Sequence, residues 1–516
     1  MMFITNMKEM NWNYKSQPND QNCLGFKNGS CVWSKGKAMG GSSSLNAMLY
    51  TRGHPSDYER WGEQNPGWDY ESVSKNFDNV EEYFKILSIP ETEKHPYHTL
   101  LGIAYMALEL KDNGNSNLEA KKGLGRTTLL SKDGKRYNTA KISLNKIKDN
   151  VSLNVMKNTL VQKVLIDATT KKAVGIQIRH NGKDMEIKSR REVILSAGSI
   201  GTPKILLLSG VGPKDHLSKV GIETVVDLPV GENLQDHAIL GINLQIKEDH
   251  SSDITPIIAT SIVLQYMLFR AGQLTNIGLT DFMAFLTVKD KVVPDVQFHH
   301  NHIFKNNGEH LKIYYENIGL NDDISNVFIE HNKNNDLLGI YPTLLHPKSR
   351  GTVQLRDADP LSEPLIYPNY FQNQEDMETM LESIKLIKRL MNSPSLHMFG
   401  VKWIQVPMKK CAAMEFESKA YWECYVRHLT TTVFHPVGTA KMGPATDKTA
   451  VVDHNLNVHG VKNLRIVDSS IMPTITGGNT MAPTLMIADK AVEIILKEQN
   501  SGPQQEDEDN VVKDEF

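Results

Sequence analysis

The alternation of apolar and polar residues along the chain predicts several strands before the middle of the sequence. Val161 to Ile166 and Ala173 to Ile178 are rich in β-branched residues, and Val151 to Val155 has the same character. A helical period follows between residues 377 and 391, where one face would carry Met377, Met380, Leu381, Ile384, Ile387 and Met391. The pattern therefore predicts a mixed α and β protein.

A strand that leads directly into a helix is predicted between residues 193 and 210. Val193–Leu195 has the composition of a buried strand, and the small residues up to Gly198 form the turn after it. Thr202 is a good N-cap and Pro203 suits the first helical position, while Gly210 would end the helix. Open α/β sheets bind ligands at such turns.

The later part of the chain divides into two patterns. Between residues 245 and 430, strand-like runs such as Asp295–His299 and Gly351–Leu355 alternate with amphipathic helices, which is typical of an antiparallel domain. The α/β pattern then returns with a strand at Leu464–Val467 and a helix from Ala482 to Lys497. The predicted organisation is an α/β domain from residues 1–240 and 431–497, an inserted antiparallel domain at 241–430, and a disordered acidic tail at 498–516.

Composition excludes several classes of protein. The 516 residues are 40% apolar and 23% charged, which is typical of a soluble globular enzyme. The net charge of −3 gives no basic excess for nucleic acid or an anionic membrane. No apolar run approaches the roughly 20 residues that a membrane span needs. We therefore expect neither a nucleic-acid partner nor a membrane span.

The four cysteines form two locally spaced pairs, Cys23 with Cys31 and Cys411 with Cys424. The spacing is compatible with two disulfides in an oxidising compartment, and equally with four thiols in the cytosol. The first eight residues have no apolar core of signal-peptide length, which argues against secretion of the chain as written.

A loop of small residues, Gly36 to Asn46, is the first candidate for ligand binding. Consecutive Gly and Ser remove side-chain bulk and expose backbone N–H groups, so the loop can lie against a phosphate or an aromatic cofactor. A flexible linker is the alternative. Bulky neighbours such as Trp33, Leu45 and Tyr50 favour a packed ligand loop.

Two segments in the last fifth of the sequence could contain catalytic residues. Gly477 to Thr480 opens a predicted helix, whose N-terminus would face a ligand that gains negative charge, unless Asn479 or Thr480 is simply an N-cap. His435 is followed by Pro436 and lies among apolar residues, so it is a candidate for a neutral general base or a structural histidine.

Two other polar segments are weaker candidates. The dense polar turn from Gly231 to His237 could be functional, but a structural turn is the preferred interpretation. His299 to His302 resembles a metal site only superficially, because alternate residues of a strand face opposite sides and no carboxylate partner is evident.

Two of these segments resemble the two signatures of the glucose–methanol–choline (GMC) oxidoreductase family. Residues 36–57 are similar to the first signature and residues 198–212 to the second. Further blocks similar to the family are residues 230–237, 347–355, 435–443, 467–473 and 477–483. The blocks occur in the family's order over residues 12–497, and the glucose-dehydrogenase-like branch of arthropods is the most similar.

The resemblance implies FAD as cofactor, a small alcohol or sugar as electron donor, and a quinone or oxygen as electron acceptor. It implies that His435 takes the hydroxyl proton while hydride passes to the flavin N5, and that Asn479 holds the substrate oxygen. The cofactor-binding positions it implies are Gly41, Ser42, Asn46, Ala47, Val161, Asp468 and Thr480. It also favours two disulfides and a secretory location for a full-length form.

The sequence departs from the family at its start. Family members begin with a strand, a Gly-x-Gly-x-x-Gly turn and a helix, and no such unit precedes Gly36. The expected fold is therefore α/β with α+β: an N-terminally truncated FAD-binding α/β domain of GMC type, with an inserted antiparallel-sheet substrate domain. Two hypotheses remain open, an FAD-dependent dehydrogenase that has lost an N-terminal piece and a cofactor-free pseudo-enzyme or binding protein.

Overall fold

A computed structural model describes residues 8–85, 95, 97–113, 119–246, 256–275, 277–288 and 292–501. Within these ranges the chain builds two large hydrophobic cores and a small third one. Most of the predicted elements fall inside the described ranges, and residues 502–516 of the predicted tail lie outside them. The predicted tail begins inside a helix that extends to Ser501.

The strands of the described residues are mostly short. In chain order, β1 to β21 are Tyr14–Lys15, Val32–Trp33, Leu49–Tyr50, Gly123–Arg126, Thr128–Leu129, Ser131–Lys132, Lys135–Arg136, Thr159–Asp167, Lys172–His180, Lys183–Lys188, Val193–Leu195, Ala238–Leu240, Asn243–Ile246, Phe282–Leu286, Val296–Ile303, Asp336–Leu344, Thr352–Gln354, Leu365–Tyr367, Lys402–Trp403, Thr430–Thr432 and Leu464–Ile466.

The α-helices of the described residues vary more in length. In chain order, α1 to α13 are Pro55–Gly62, Tyr70–Phe84, Tyr97–Met106, Thr139–Ser143, Gly198–Leu208, Lys214–Lys219, Pro256–Phe269, Gly308–Ile318, Asp322–Asn332, Gln374–Met391, Pro394–Met398, Lys419–Leu429 and Met481–Ser501.

An eight-stranded antiparallel sheet organises the larger core. Its strands run in the order β19-β13-β16-β15-β14-β4, and β12 joins β16 to β20. One face packs on α10, whose predicted apolar stripe is buried. The antiparallel domain was expected in residues 241–430, yet β4 at Gly123–Arg126 also pairs into this sheet. The predicted domain boundaries stay predictions.

The second core belongs to the α/β part of the molecule. The parallel pair β11 and β21 joins the middle of the chain to its last third, and α5 follows β11. Helix α5 begins at Gly198, so the prediction of an N-cap at Thr202 was wrong. The Asp468 carboxylate accepts the Gly198 N–H at 2.9 Å and the Thr202 hydroxyl at 2.6 Å, and so caps the helix from the segment that follows β21.

Pro203 lies inside α5 instead of at its start. Proline has no N–H to give the carbonyl four residues earlier, which belongs to Ser199. The Thr439 hydroxyl donates to that carbonyl at 2.8 Å, so a tertiary contact replaces the missing helical hydrogen bond. Gly210 follows the helix with φ +80°, as predicted for a helix-ending glycine.

The predicted strand at residues 151–155 was wrong. Residues 149–158 form no strand, and the side chain of Val151 is 96% exposed. A strand needs a neighbour to satisfy its backbone groups, and the described residues place none beside this segment. The strands predicted at 161–166 and 173–178 pair with each other as β8 and β9.

Both cysteine pairs form disulfides, Cys23–Cys31 and Cys411–Cys424. The expectation of two disulfides is therefore confirmed. No helix among the described residues has both the length and the apolarity to span a bilayer.

Candidate active site

His435 and Asn479 meet although 44 residues separate them in the sequence. The Asn479 amide nitrogen, Nδ2, lies 3.2 Å from the His435 ring nitrogen Nε2. His435 follows β20, and Asn479 precedes α13, which begins at Met481. The structure thus brings the two predicted catalytic residues together, at the N-terminal end of a long helix.

The turn before α13 is held by a buried carboxylate from the first signature. Asp57 is fully buried and accepts the Gly477 N–H at 2.6 Å and the His54 N–H at 3.0 Å. His346 Nε2 lies 2.9 Å from the same carboxylate. Burial alone would raise the pKa of Asp57, but the bonds from His346 and Gly477 and the charge of Arg60 hold it below its ordinary value.

The turn from Gly231 to His237 fixes His435 on its other side. The Asp236 carboxylate accepts the backbone N–H of His435 at 2.8 Å, and Nδ1 of His237 lies 3.0 Å from Nδ1 of His435. The sequence favoured a structural turn at residues 231–237, and the contacts of this turn with His435 were not predicted. The adjacent Asp236 and His237 were the available signal.

The electrostatics of the site keep His435 neutral. Burial lowers its pKa well below the ordinary histidine value, and the rings of His237 and His299 and the ammonium of Lys35 lower it further. A neutral imidazole has a lone pair with which to accept a proton. The His435 ring can therefore accept a proton from a group that lies beside it.

The glycine–serine loop, residues 36–46, packs against the start of α13. Gly41 starts a short 3₁₀ turn with φ +54°, and the Ser42 hydroxyl accepts the Gly36 N–H at 3.1 Å. The Asn46 amide nitrogen lies 2.9 Å from the sulfur of Met481, the first residue of α13. Ala47 packs on the third core. The loop is a packed element, as the sequence favoured over a linker.

The residues around this loop fit an FAD molecule. A side chain at Gly41 or at Gly198 would meet no atom within 4 Å, so both glycines face open space with a positive φ. Arg136 donates to the neutral oxygens of Ser43 and Asn46, and its buried Nε has no hydrogen-bond partner. A half-buried guanidinium that donates only to neutral acceptors suits a phosphate.

Of the other predicted cofactor positions, Asp468 and Thr480 lie at helix starts, and Val161 lies on a separate sheet. Asp468 caps α5 beside Gly198, and Thr480 is buried directly before α13. Val161 lies on β8, an edge strand of the three-stranded sheet, and its pairing partner is Ile178. The described contacts link β8 to α5 through the bond from Val164 N to Ser209 Oγ, and not to His435.

One face of the large sheet carries buried polar atoms without hydrogen-bond partners. Gln297 and His299 are two residues apart on β15 and therefore face the same side of the sheet. Thr343 lies opposite Gln297 on β16. The atoms are Gln297 Oε1, His299 Nε2 and Thr343 Oγ1, and Asn479 Oδ1 shares this property. His299 acts electrostatically on both His237 and His435, which places it near the site. Buried polar groups are rarely left unpaired, so these atoms are candidates for substrate contacts.

Comparisons with known proteins show the family to which the chain is similar. Two models of the family described as GMC oxidoreductase match residues 19–239 and 347–488. A glucose dehydrogenase (FAD, quinone) of Drosophila pseudoobscura pseudoobscura is 35% identical over 511 residues, which are 95% of this chain and 78% of that protein. An alcohol dehydrogenase (acceptor) of Pseudomonas putida is 33% identical over 521 residues, covering 96% of this chain and 87% of that protein.

A solved structure shows the same fold. A formate oxidase of Aspergillus oryzae superposes with a TM-score of 0.78 at 23% identity, over 97% of this chain and 90% of that chain. The first family match begins at residue 19, so the expected loss of an N-terminal unit is not confirmed and stays a prediction.

Proposed function

This chain belongs to the GMC oxidoreductase family, whose members oxidise the CH–OH group of donors with FAD, and we propose that His435 is its catalytic base and Asn479 its substrate-oxygen ligand. The expected GMC fold with an FAD-binding and a substrate domain, the FAD cofactor and oxidation of CH–OH donors are thereby confirmed. The observation that carries the residue assignment is the 3.2 Å contact between His435 Nε2 and Asn479 Nδ2.

The geometry supports a simple division of roles. A substrate hydroxyl that lies beside both atoms donates its proton to His435 Nε2 and accepts a hydrogen bond from Asn479 Nδ2, in place of the direct contact between the two side chains. Bound FAD supplies the oxidant that accepts the hydride from the alcohol carbon. His435 takes up the proton as the carbonyl forms, and its low pKa keeps it free to do so.

The cofactor contacts we propose follow the packed loop and the helix ends. Gly41, Ser42, Asn46 and Ala47 form the surface that the cofactor lies against, and Asp468 and Thr480 neighbour it. Val161 contributes from β8, on the adenosine side. Open space over Gly41 and the unpaired Nε of Arg136 support this arrangement.

Replacement of the base tests the assignment. We expect His435→Ala to lower kcat for alcohol oxidation by about 10² to 10⁴, because a general base contributes that much, while FAD stays bound. His180→Ala is the matched control, since His180 lies at the end of β9, away from the pair. Flavin absorption gives the FAD content and stopped-flow reduction gives the rate. Unchanged reduction in His435→Ala would remove it from the mechanism.

The buried polar atoms on β15 and β16 support contacts to a second polar group of the donor. Thr343→Val removes one hydroxyl with little change of shape. We expect it to lower kcat/KM for 1,2-hexanediol about 10-fold and to leave 1-hexanol nearly unchanged, because one hydrogen bond in a buried site contributes about 1 kcal/mol or more. Equal effects on the two alcohols would contradict this contact.

Whether this chain holds FAD separates the two hypotheses that the sequence leaves open. The sequence has no Gly-x-Gly-x-x-Gly motif, and β11 pairs only with β21 among the described residues. The chain purified as written distinguishes the two hypotheses. Yellow protein with bound FAD supports an enzyme, and colourless protein that takes up no added FAD supports the pseudo-enzyme or binding protein.

A quinone is the electron acceptor we propose, because the relative at 35% identity carries quinone in its name. Anaerobic turnover with a soluble quinone tests this, and rapid oxygen consumption without quinone would assign the role to oxygen. The two disulfides support a secretory location, since such bonds persist in oxidising compartments. Detection of the protein in the secretory pathway or the medium is the corresponding test.

A further inference from the structure

Two histidine rings form a chain of hydrogen bonds that ends at the catalytic position. Nε2 of His237 lies 3.0 Å from the carbonyl oxygen of Leu345, and its Nδ1 lies 3.0 Å from Nδ1 of His435. A carbonyl oxygen only accepts hydrogen bonds, so Nε2 of His237 carries the proton. Burial lowers the pKa of His237 to about 3, so its ring is neutral and its Nδ1 has a lone pair.

The protonation of His435 follows from its neighbour. Because Nδ1 of His237 is an acceptor, Nδ1 of His435 must carry the proton and donate it across the 3.0 Å contact. Nε2 of His435 then has the free lone pair, and it accepts from the Asn479 amide at 3.2 Å. The opposite tautomer would set two lone pairs against each other and point an N–H at the NH₂ group of Asn479.

We propose that His237 is a positioning residue that holds His435 in the Nδ1–H tautomer, with the Nε2 lone pair directed at the substrate hydroxyl. The backbone carbonyl of Leu345 sets the orientation of His237, so the tautomer is fixed by the main chain of the segment that follows β16. This inference rests on the proposed role of His435 as base.

The ring of His237, which orients His435, is neutral, and this affects how the rate of alcohol oxidation depends on pH. The titratable groups that act on the two rings are His299, His346, Lys35, Asp57 and Asp236. The Asp236 carboxylate bonds the backbone N–H of His435 and not its ring. A carboxylate on Nδ1 would favour the charged imidazolium, whereas the neutral ring of His237 leaves the pKa of His435 low. His435 therefore stays an available base into mildly acidic solution.

Three substitutions at one position test the inference in the FAD-loaded protein. His237→Phe removes the acceptor, His237→Asn restores an acceptor oxygen, and His237→Asp supplies a charged one. We expect His237→Phe to lower kcat about 10-fold or more with KM little changed, since loss of a tautomer-fixing partner costs up to about 10⁴ in another enzyme class. His237→Asn should recover most of the rate.

The pH profile separates positioning from packing. We expect His237→Asp to move the acid limb of the kcat profile to higher pH, because its charge raises the pKa of His435. The control His180→Phe should leave rate and profile unchanged. Wild-type kinetics in both His237→Phe and His237→Asp, or an unmoved acid limb with equal losses in all three variants, would overturn the inference.

A spectroscopic measurement gives a result that does not depend on turnover. Nitrogen-15 NMR of histidine-labelled, FAD-loaded protein, assigned with His435→Ala, reports which ring nitrogen carries the proton. The inference expects a protonated Nδ1 on His435, and a protonated Nε2 would overturn it. Failure of the wild-type protein to oxidise any alcohol would instead contradict the proposed function while leaving this tautomer result valid.

Discussion

The turn that carries Asn479 and the segment at residues 149–158 have opposite degrees of support. Three distant parts of the chain hold residues 475–479, through Asp57, Gln235 and His435. Residues 149–158 are exposed and form no strand. The difference shows that long-range hydrogen bonds hold the turn that carries Asn479, whereas residues 149–158 have no comparable support among the described residues.

The largest expected effect comes from removing the charge of the Asp57 carboxylate, which holds the turn before α13. Asp57→Asn removes the charge that His346, Arg60 and two backbone N–H groups share. We expect the free energy of unfolding to fall by about 3–5 kcal/mol, as when one partner of a buried pair is lost. Urea unfolding measures this change. Asp78→Asn, at an exposed pair with Arg52, is the control and should cost less than about 1 kcal/mol.

The same carboxylate predicts a pH dependence of stability. The pKa of Asp57 is lower in the folded protein than its ordinary value, so its contribution is present above the unfolded-state pKa and is lost as pH falls through the folded one. We expect the stability gap between wild type and Asp57→Asn to narrow as the pH falls below about 4. Urea midpoints at a series of pH values measure it, and a gap that widens on acidification would refute the assignment.

A smaller effect is expected on the cofactor side. Arg136→Met keeps an unbranched apolar stem but removes the guanidinium beside the glycine–serine loop. We expect the Kd for FAD to rise about 10-fold or more, because a hydrogen bond to a charged group contributes about 1.5–3 kcal/mol. Fluorescence titration of the apoprotein measures the Kd. An unchanged affinity would place the phosphates elsewhere.

The smallest effect is expected at the exposed segment. Val151→Ser should change the free energy of unfolding by less than about 0.5 kcal/mol, since Val151 is 96% exposed. Val452→Ser is the matched control in the second core, where we expect a loss of about 2 kcal/mol or more. A loss at Val151 as large as at Val452 would show that residues 149–158 are packed in solution, and the contrast drawn above would fail.

The local pattern of apolar residues was sufficient to predict elements that depend on their own residues or on the next strand along the chain. The apolar stripe of α10 and the paired strands β8 and β9 were predicted with bounds close to those observed. Thr202 was predicted as an N-cap, but Asp468, which follows β21, takes that role, because a carboxylate more than 260 residues away reaches the helix start. Such a contact leaves no trace in the local sequence.

The sequence by itself determined the family signatures, the candidate residues His435 and Asn479, and the spacing of the cysteine pairs. Only the tertiary structure decided that His435 and Asn479 touch, that Asp57 holds the turn before α13, and that the His237 ring lies 3.0 Å from the His435 ring. The physical reason is that propensity and hydrophobic period act over a few residues, whereas ring tautomers and buried charges depend on whichever atoms the fold places within 3 Å of them.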